Sequence, residues 1–568
     1  MNSTIRQVYF LGRFPLPMKQ KDGLDTERKD LQQTILLLDI HTFILPLVQG
    51  SLKILLKLVR GEKTVSRALP IMVQGTHSDA GKSVIATGLC RIFAQDGYKT
   101  APFKSQNMSL NSYVTVDGKE IGRAQGVQAE AAKTIATSDM NPILIKPMGD
   151  YTSQIVVNGK PYQNYQAGEY REKFFTYGLQ VIKDAYKRLA ASYERIVIEG
   201  AGSPAEINLN DRELVNMRIA RLTNAPVILV GDIDRGGVFA SLVGTLQLLN
   251  PDDQKRIIGV IINKFRGDIS LLEPGLRWFE QYTGIPVLGV VPYIANLNIE
   301  AEDSVILESF LHRNEKVNDI DIAVIHLPHI SNFTDIDPFM YEKDCSVRYI
   351  RRASELGEPD VVILPGTKNT IEDLLFLEHH SFIEAIKALY VKKNCTIVGI
   401  CGGYQMLGAS ISDPYRVETA LGRANGFNIF PINTVMMKEK RTTPSKGLVH
   451  FANRTFPVEG YEIHMGTTFY KGAVSPFITT EEGVDGCISE DGMVFGTYFH
   501  GIFHNDEFRT AFLNLIRNRK GLPEMYERPS MKAIRDEAFN HLADCLRKHL
   551  NIELIYREME RFQANSSF

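Results

Sequence analysis

From about Ala68 the chain alternates short apolar runs with stretches of helical periodicity. LPIMVQG, TAPF, RIVIEG, PVILVGD and IIGVIINK are short, rich in apolar residues, and mostly end at Gly or Asp. Runs of that length between helical patterns predict strands in βαβ units, hence a parallel sheet with helices on both faces. A polar stretch around Leu297–Asp319 has few strand signals and reads as a linker. A second series then follows, DIAVIHLP, DVVILPG and CTIVGIC, which predicts a second α/β domain. The tail from about Gly521 is charged and helical and is expected to cap that second domain. The expected organisation is an N-terminal extension over 1–66, a first domain over 67–300, a linker over 301–319, a second domain over 320–520 and a helical tail over 521–568. No internal repeat or low-complexity tract interrupts this plan.

The first 66 residues differ in texture. TILLLDIHTFILPLVQGSLKILLKLV is apolar, but its longest run free of Asp, Glu, Lys and Arg is the thirteen residues from Ile40 to Leu52. A membrane-spanning helix needs about 20 such residues. The run also starts too far in, behind too many charges, for an ordinary signal peptide. A buried or amphipathic helix is the expectation, with a weak surface anchor or an extension without a role as the alternatives, so its role is left open.

The 568 residues give length for about three to four domains and need no disulfide or metal to complete a core. With 64 Lys+Arg against 66 Asp+Glu the net charge is -2, which removes a general electrostatic case for nucleic acid or an anionic membrane as main partner. The six cysteines, 90, 345, 395, 401, 487 and 545, include no CxxC pair, so neither a disulfide scaffold nor a zinc ribbon is expected and a reducing, cytoplasmic setting fits.

Residues 75–83 read GTHSDAGKS, between the strand LPIMVQ and the helical VIATGLCRIFAQ. A glycine-bearing loop there turns backbone N–H groups toward an anion at the helix N-terminus. Gly75, Thr76, Ser78 and Gly81 would shape this cradle, Lys82 would reach terminal phosphates, and the Ser83 hydroxyl would ligate Mg2+. The usual spacing places Gly where Thr76 stands, so the simple pattern fails by one residue. Glu199 and Asp232 end predicted strands, where acids line the crevice of a parallel sheet, and either is a candidate metal ligand. Lys104, just after TAPF, could neutralise a transferring phosphoryl group. INKFRGD at 262–268 reads only as a turn.

TIVGICGGYQMLG, residues 396–408, reads as strand, sharp turn and helix. Such an elbow holds Cys401 in a strained, exposed place at the head of a helix, where the thiolate is favoured. Backbone N–H groups near Gly402, with Gly366 of PGTKNT, would form an oxyanion hole. A cysteine nucleophile needs a base. GTYFHGIFHN offers His500 and His504, of which His500 directly follows a strand-like run and is preferred. His464 in GYEIHMG is expected to hold the domain's shape or line the domain boundary.

GICGGYQMLG with GTYFHG resembles the class I glutamine amidotransferase domain in its cobyric-acid-synthase-type branch. GTHSDAGKS, FKSQNMSLNS, EIGRAQ, EGAGSPAEINL and DIDRGGVFAS resemble the synthetase half of the same family, as do GYEIHMG and LPHISNFTDIDPF. The likeness runs from about Arg67 to about Arg519. It implies an α/β protein in which a P-loop NTPase-like (dethiobiotin-synthetase-like) parallel-sheet domain precedes a flavodoxin-like class I glutamine amidotransferase domain. It further implies that Cys401 and His500 hydrolyse L-glutamine. ATP with Mg2+ would activate side-chain carboxylates of a corrinoid, adenosylcobyrinic acid a,c-diamide, for fourfold amidation at b, d, e and g. The corrinoid is expected as substrate, and no tightly bound organic cofactor is expected. Many class I amidotransferases carry Glu two residues after the catalytic His, where this chain has Ile502, so no third member of the site is assigned. The alternatives are the sister enzyme that makes cobyrinic acid a,c-diamide, a non-amidating partitioning-type ATPase, and a degenerate corrinoid binder. FKSQNMSLNS and DIDRGGVFAS argue against the first, and the joint presence of Lys82, Ser83, Cys401 and His500 against the others.

Overall fold

The computed structural model describes residues 68–148, 152–295, 297, 299 and 318–565. The extension over 1–66 with its expected helix, and all of the 301–319 linker but its last two residues, lie outside the described residues.

Six strands form the first sheet: β1 (Leu69–Gly75), β2 (Thr100–Phe103), β3 (Arg195–Glu199), β4 (Val227–Asp232), β5 (Ile257–Phe265) and β6 (Val287–Pro292), in the order β6-β5-β4-β1-β3-β2. Every pairing is parallel. β3 and β4 are buried at every position. Helices cover both faces of such a sheet, so each strand is a continuous apolar run rather than an alternating one. The second sheet is built from β7 (Ile320–Ile325), β8 (Cys345–Ile350), β9 (Val361–Leu364), β10 (Thr396–Ile400), β11 (Cys487–Ile488) and β12 (Val494–Thr497), in the order β8-β7-β9-β10-β12-β11. It is parallel except for the β11–β12 edge. The two expected α/β layers are therefore present.

Three further sheets escape the apolar pattern. One is two-stranded, from Ser112–Val114 and Glu120–Gly122. One is six-stranded and built on a long hairpin, Ile432–Phe451 against Arg454–Tyr470, whose registry shifts between Met436 and Arg441. Its tract KEKRTTPSK is too polar to read as a strand. The third is four-stranded, from Gln106–Met108, Ile143–Pro147, Thr152–Val157 and Lys160–Gln166.

The tail corrects an expectation. Its first residues do touch the second domain, where Arg528 pairs with Glu342 and Asp344. The helices Met531–His549 and Ile552–Ala564 then cross to the first domain. Leu542 and Leu546 pack on the helix Lys82–Gln95 beside Gly88, where an added Cβ would lie 2.2 Å from Leu546 Cδ1. Phe539, Leu542, Ala543 and Leu546 share one core with Ile85, Leu89 and Val73. Buried Arg91 reaches Asp536 at 2.6 Å, and the Asn551 N–H donates to Leu288 O at 2.8 Å. Contiguity in sequence favoured the second domain, but the apolar stripe of the tail matches the phosphate-loop helix.

Leu546→Ala should cost about 2–5 kcal/mol by emptying that contact. Denaturant unfolding followed with and without ATP checks it; the loss should appear in the transition that nucleotide protects.

Candidate active sites

β10 ends at Ile400, and the chain turns sharply at Cys401, with φ 51° and ψ -106°, before the short helix Gly402–Met406. A non-glycine residue at positive φ is strained and persists only where its surroundings over-determine it. Here the surroundings are tight: a Cβ at Gly403 would come 1.9 Å from Leu364 O at the end of β9. Only glycine lets the elbow close against the neighbouring strand. Gly366 follows β9, and a Cβ there would meet His500 Cε1 at 3.0 Å and Cys401 Cβ at 3.8 Å. A Cβ at Gly402 would meet Thr367 N at 3.2 Å. Gly366 and Gly402 thus both lie beside Cys401.

His500 follows β12 and is fully buried. Its Nδ1 lies 2.7 Å from Asp335 Oδ2, and the Gly501 N–H donates to Asp335 Oδ1 at 2.7 Å. Burial alone would lower the imidazole's pKa, but the Asp335 carboxylate, with Cys401 on the other side, pushes it up to about 10. His500 thus sits between the Asp335 carboxylate and Cys401, a setting that stabilises the imidazolium formed when it accepts a proton. His504 turns away, with Nε2 2.9 Å from Thr334 O. His464 stacks on Tyr498 at 3.8 Å, sits 3.3 Å from Glu462 and lines the cavity at Cys401. Of the other cysteines, burial pushes Cys395 up to about 12 and Cys487 up to about 11, so both remain thiols.

Asp335 is the residue that sequence reasoning missed. It lies in the turn Phe333–Ile336, far upstream of His500, whereas the position two residues after His500 is Ile502, which is buried and apolar. Its signal is LPHISNFTDIDPF, one of the stretches that resemble the family. Lys368 and Glu418 also border the Cys401 cavity. Burial lifts the Glu418 carboxyl to about 7, against the pull of Lys368. A zwitterion with an ammonium for Glu418 and a carboxylate for Lys368 matches that pair.

In the first domain the loop after β1 folds over its own lysine: Lys82 Nζ donates to His77 O at 3.0 Å and Gly202 O at 3.1 Å. Gly81, at φ 97°, is forced, because a Cβ would lie 2.0 Å from Asn263 Nδ2, which itself donates to Ala80 O. INKFRGD is therefore more than a turn: its Asn263 pins the loop. Glu199, at the end of β3, accepts from the Ser83 hydroxyl at 2.8 Å, Lys104 Nζ at 3.0 Å and Gln128 Nε2 at 2.6 Å. Burial favours its neutral form, but Lys104 and these donors hold it below the usual carboxylate range. Asp232 is not part of this cluster; Lys264 Nζ engages it at 2.7 Å and also donates to Asp79 O. Ser78 is exposed at the loop tip, Gly75 closes β1, and the buried Thr76 hydroxyl has no protein partner.

Beside Gly202 and Ser203 opens a cavity of about 580 Å³, walled by Tyr165, Tyr170, Phe175 and Leu214 and bordered by Arg171 and Arg212. Lys82 touches its Gly202 rim, so this space and the phosphate loop adjoin.

A CobB/CobQ-like glutamine amidotransferase domain model matches residues 321–508, and a CobQ/CobB/MinD/ParA nucleotide binding domain model matches residues 71–306. A cobyric acid synthase of Geobacillus sp. (strain WCH70) is 61% identical over 499 residues, 88% of this chain and 99% of that protein. The chain belongs to the cobyric acid synthase family. Relatives of the same name from Anoxybacillus flavithermus, 60% identical over 88% of this chain and 98% of that protein, and Thermoanaerobacter sp. (strain X514), 49% identical over 87% and 100%, agree. Cys401, His500 and Asp335 fall inside the amidotransferase match, and Lys82, Ser83, Lys104, Glu199 and Asp232 inside the nucleotide-binding match. A partitioning-type ATPase shares only the latter kind of domain, and the family's second domain excludes that reading.

Asp335→Asn should lower glutamine hydrolysis by about 10²–10⁴ while ammonium-dependent amidation persists. The same pair predicts a pH effect. A group held above its ordinary 6.5 stabilises the fold fully below that pH and loses the contribution as pH rises toward about 10. Unfolding free energy should therefore fall more steeply over that window in the wild type than in Asp335→Asn.

Proposed function

We propose that this chain converts adenosylcobyrinic acid a,c-diamide to adenosylcobyric acid, a step of cobalamin biosynthesis, by amidating its b, d, e and g carboxylates with glutamine and ATP. The observation that carries this reading is the pairing, in one chain of this family, of the Cys401–His500–Asp335 cluster with the phosphate loop and its adjoining cavity.

In the amidotransferase domain His500 takes the Cys401 proton and Asp335 holds the resulting imidazolium. The thiolate attacks the glutamine side-chain carbonyl. Backbone N–H groups at Gly366 and Gly402 stabilise the oxyanion, which collapses to a thioester as His500 protonates the leaving ammonia. Water, deprotonated by His500, then attacks the thioester; glutamate leaves and the Cys401 thiol is restored. Glu418 and Lys368 receive the α-ammonium and α-carboxylate of glutamine.

In the synthetase domain a corrinoid carboxylate attacks the ATP γ-phosphorus, giving an acyl phosphate and ADP. A free carboxylate is a poor electrophile, so this activation precedes amidation. Ammonia then displaces phosphate and loses a proton to leave the amide. Lys82 and Lys104 offset charge on the transferring group. The hard oxygen donors Ser83 and Glu199 fit Mg2+, which characteristically takes one or two protein oxygens and completes its shell with phosphates and water. Once there it would neutralise phosphate charge; Asp232, at the end of β4 on the other side of β1, is a further acid within the crevice. The aromatic wall of Tyr165, Tyr170 and Phe175 suits the corrin face, and Arg171 and Arg212 suit its peripheral carboxylates. Among the described residues no helix is long and apolar enough to cross a membrane. A need for ATP and for a reduced catalytic thiol supports a cytoplasmic setting for this reaction.

Purified protein with glutamine, MgATP and adenosylcobyrinic acid a,c-diamide should give four successive mass changes in the corrinoid. Cys401→Ala should abolish them with glutamine and restore them with ammonium. Glu199→Gln should abolish them with either nitrogen source. Two mass changes on cobyrinic acid itself, and none on the diamide, would transfer the chain to the sister a,c-diamide synthase.

A further inference from the structure

The two sites proposed above must exchange ammonia without losing it to water, and one small sheet stands between them. Along a strand, successive side chains point to opposite faces. In the sheet of Gln106–Met108, Ile143–Pro147 and Thr152–Val157, the residues Gln106, Met108, Ile145, Ser153 and Ile155 all line the 580 Å³ cavity. The residues between them face the other way: Asn107, Leu144, Lys146 and Gln154, with Asn107 opposite Leu144 and Lys146 opposite Gln154 in the register. Lys146 on that second face lines the cavity at Cys401. The sheet is thus a partition, with corrinoid space on one side and a polar layer leading from the glutaminase site on the other.

That layer begins at a buried ion cluster contributed by both domains. Glu120 accepts from Lys146 at 2.6 Å and from Lys440 at 2.5 Å, and all three side chains are nearly inaccessible to solvent. Lys440 comes from the interrupted stretch of the long hairpin, where a break in registry re-aims a side chain. Ser112 completes the cluster: its hydroxyl lies between Glu120 and Lys146, and its N–H donates to Asn332 Oδ1. Asn332 Nδ2 in turn is 3.5 Å from His500 Nε2. The glutaminase base and the cluster are therefore in one chain of contacts. The cluster sets one carboxylate against two lysines, and burial brings Lys440 down to about 7 against the pull of Glu120. The Cys401 cavity that Lys146 and Lys440 help to wall holds about 40 Å³, room for about three waters but not for a whole glutamine. A bound glutamine must move part of that wall.

Beyond the cluster the layer continues toward ATP. Asn107 donates to Gln125, Gln128 lies one turn further along the same face of the helix Arg123–Ala131, and Gln128 donates to Glu199. Gln154 Oε1, Gln125 Nε2 and Gln128 Oε1 are buried without a protein partner. Buried amide atoms left unpaired are costly, and here they include both acceptors and a donor. A small neutral guest that donates and accepts, such as ammonia, satisfies them.

We infer that the polar face of this sheet carries ammonia from Cys401 toward the phosphate site, and that the Glu120–Lys146–Lys440 cluster is the gate at its entrance. Glu120 is a positioning residue: it touches neither glutamine nor ATP but holds the two lysines together across the domain boundary. The inference rests on the amidotransferase reading, and its test separates the two. Glutamine hydrolysed and corrinoid amide formed are measured together, with ammonium-dependent amidation as a second assay. Glu120→Gln should raise the ratio of glutamine hydrolysed to amide formed at least about threefold, with ammonium-dependent amidation within about twofold of wild type. Lys440→Met, which breaks the cluster from the other domain, should do the same and decides the matter if Glu120→Gln does not fold. An unchanged ratio at full rate, or equal loss of the glutamine- and ammonium-dependent reactions, overturns the gate. Wild-type protein that amidates from neither nitrogen source removes the amidotransferase reading itself, and the gate with it.

Discussion

Both centres depend on what a parallel strand buried on two faces permits. Such a strand cannot expose a polar side chain along its length, so chemistry waits for its carboxyl end. β1 delivers the phosphate loop there, β3 delivers Glu199 and β4 delivers Asp232. In the second sheet β9 leads to Gly366, β10 to Cys401 and β12 to His500. Neighbouring strands in each sheet thereby bring residues distant in sequence within reach. The elbow at Cys401 uses this constraint most severely, since the backbone of β9 presses against Gly403 and leaves the chain no relaxed way to turn.

What could be read from the sequence follows the same rule. Short apolar runs ending in Gly or Asp marked most of the central strands, and the residues at or just past their ends were the candidate site residues. Ser83 and Lys104 meet at Glu199, and Gly366 and Gly402 lie beside Cys401 near His500. Asp232 was indistinguishable from Glu199 by pattern, because both end a strand; only the side-chain partners, Lys264 for one and Ser83 for the other, separate them. Asp335 sits on a turn rather than at a strand end, and its partner lies 165 positions away, so no local spacing announces it. The long hairpin was hidden by its own polarity, and the tail by its adjacency to the wrong domain.

Charge burial explains why these halves form one body. Glu199, Glu120 and Asp335 are each almost inaccessible, and each is matched by cations or hydrogen-bond donors rather than by water. Arg509, Arg517 and Arg528 play the matching role for Glu342 and Asp344, tying the helix Asp506–Arg519 and the start of the tail to the second sheet. From there the tail carries its leucines to the first domain. The chain thus clasps the first domain with its own C-terminus while the Glu120 cluster joins the two domains from the other direction.

The two joints differ in kind. The clasp is apolar and gains from every methyl group it buries. The Glu120 joint buries three ionisable groups, and desolvation consumes much of the attraction it creates; apolar residues of similar volume commonly do as well or better for stability. Stability alone therefore gives no reason to place a carboxylate and two lysines at the wall of the Cys401 cavity. An apolar plug would hold the domains together as firmly, but it would offer ammonia no hydrogen bonds and would not respond to a zwitterion arriving beside it. A strained balance of charge does both, because a small displacement of one lysine changes the energy of the other two groups.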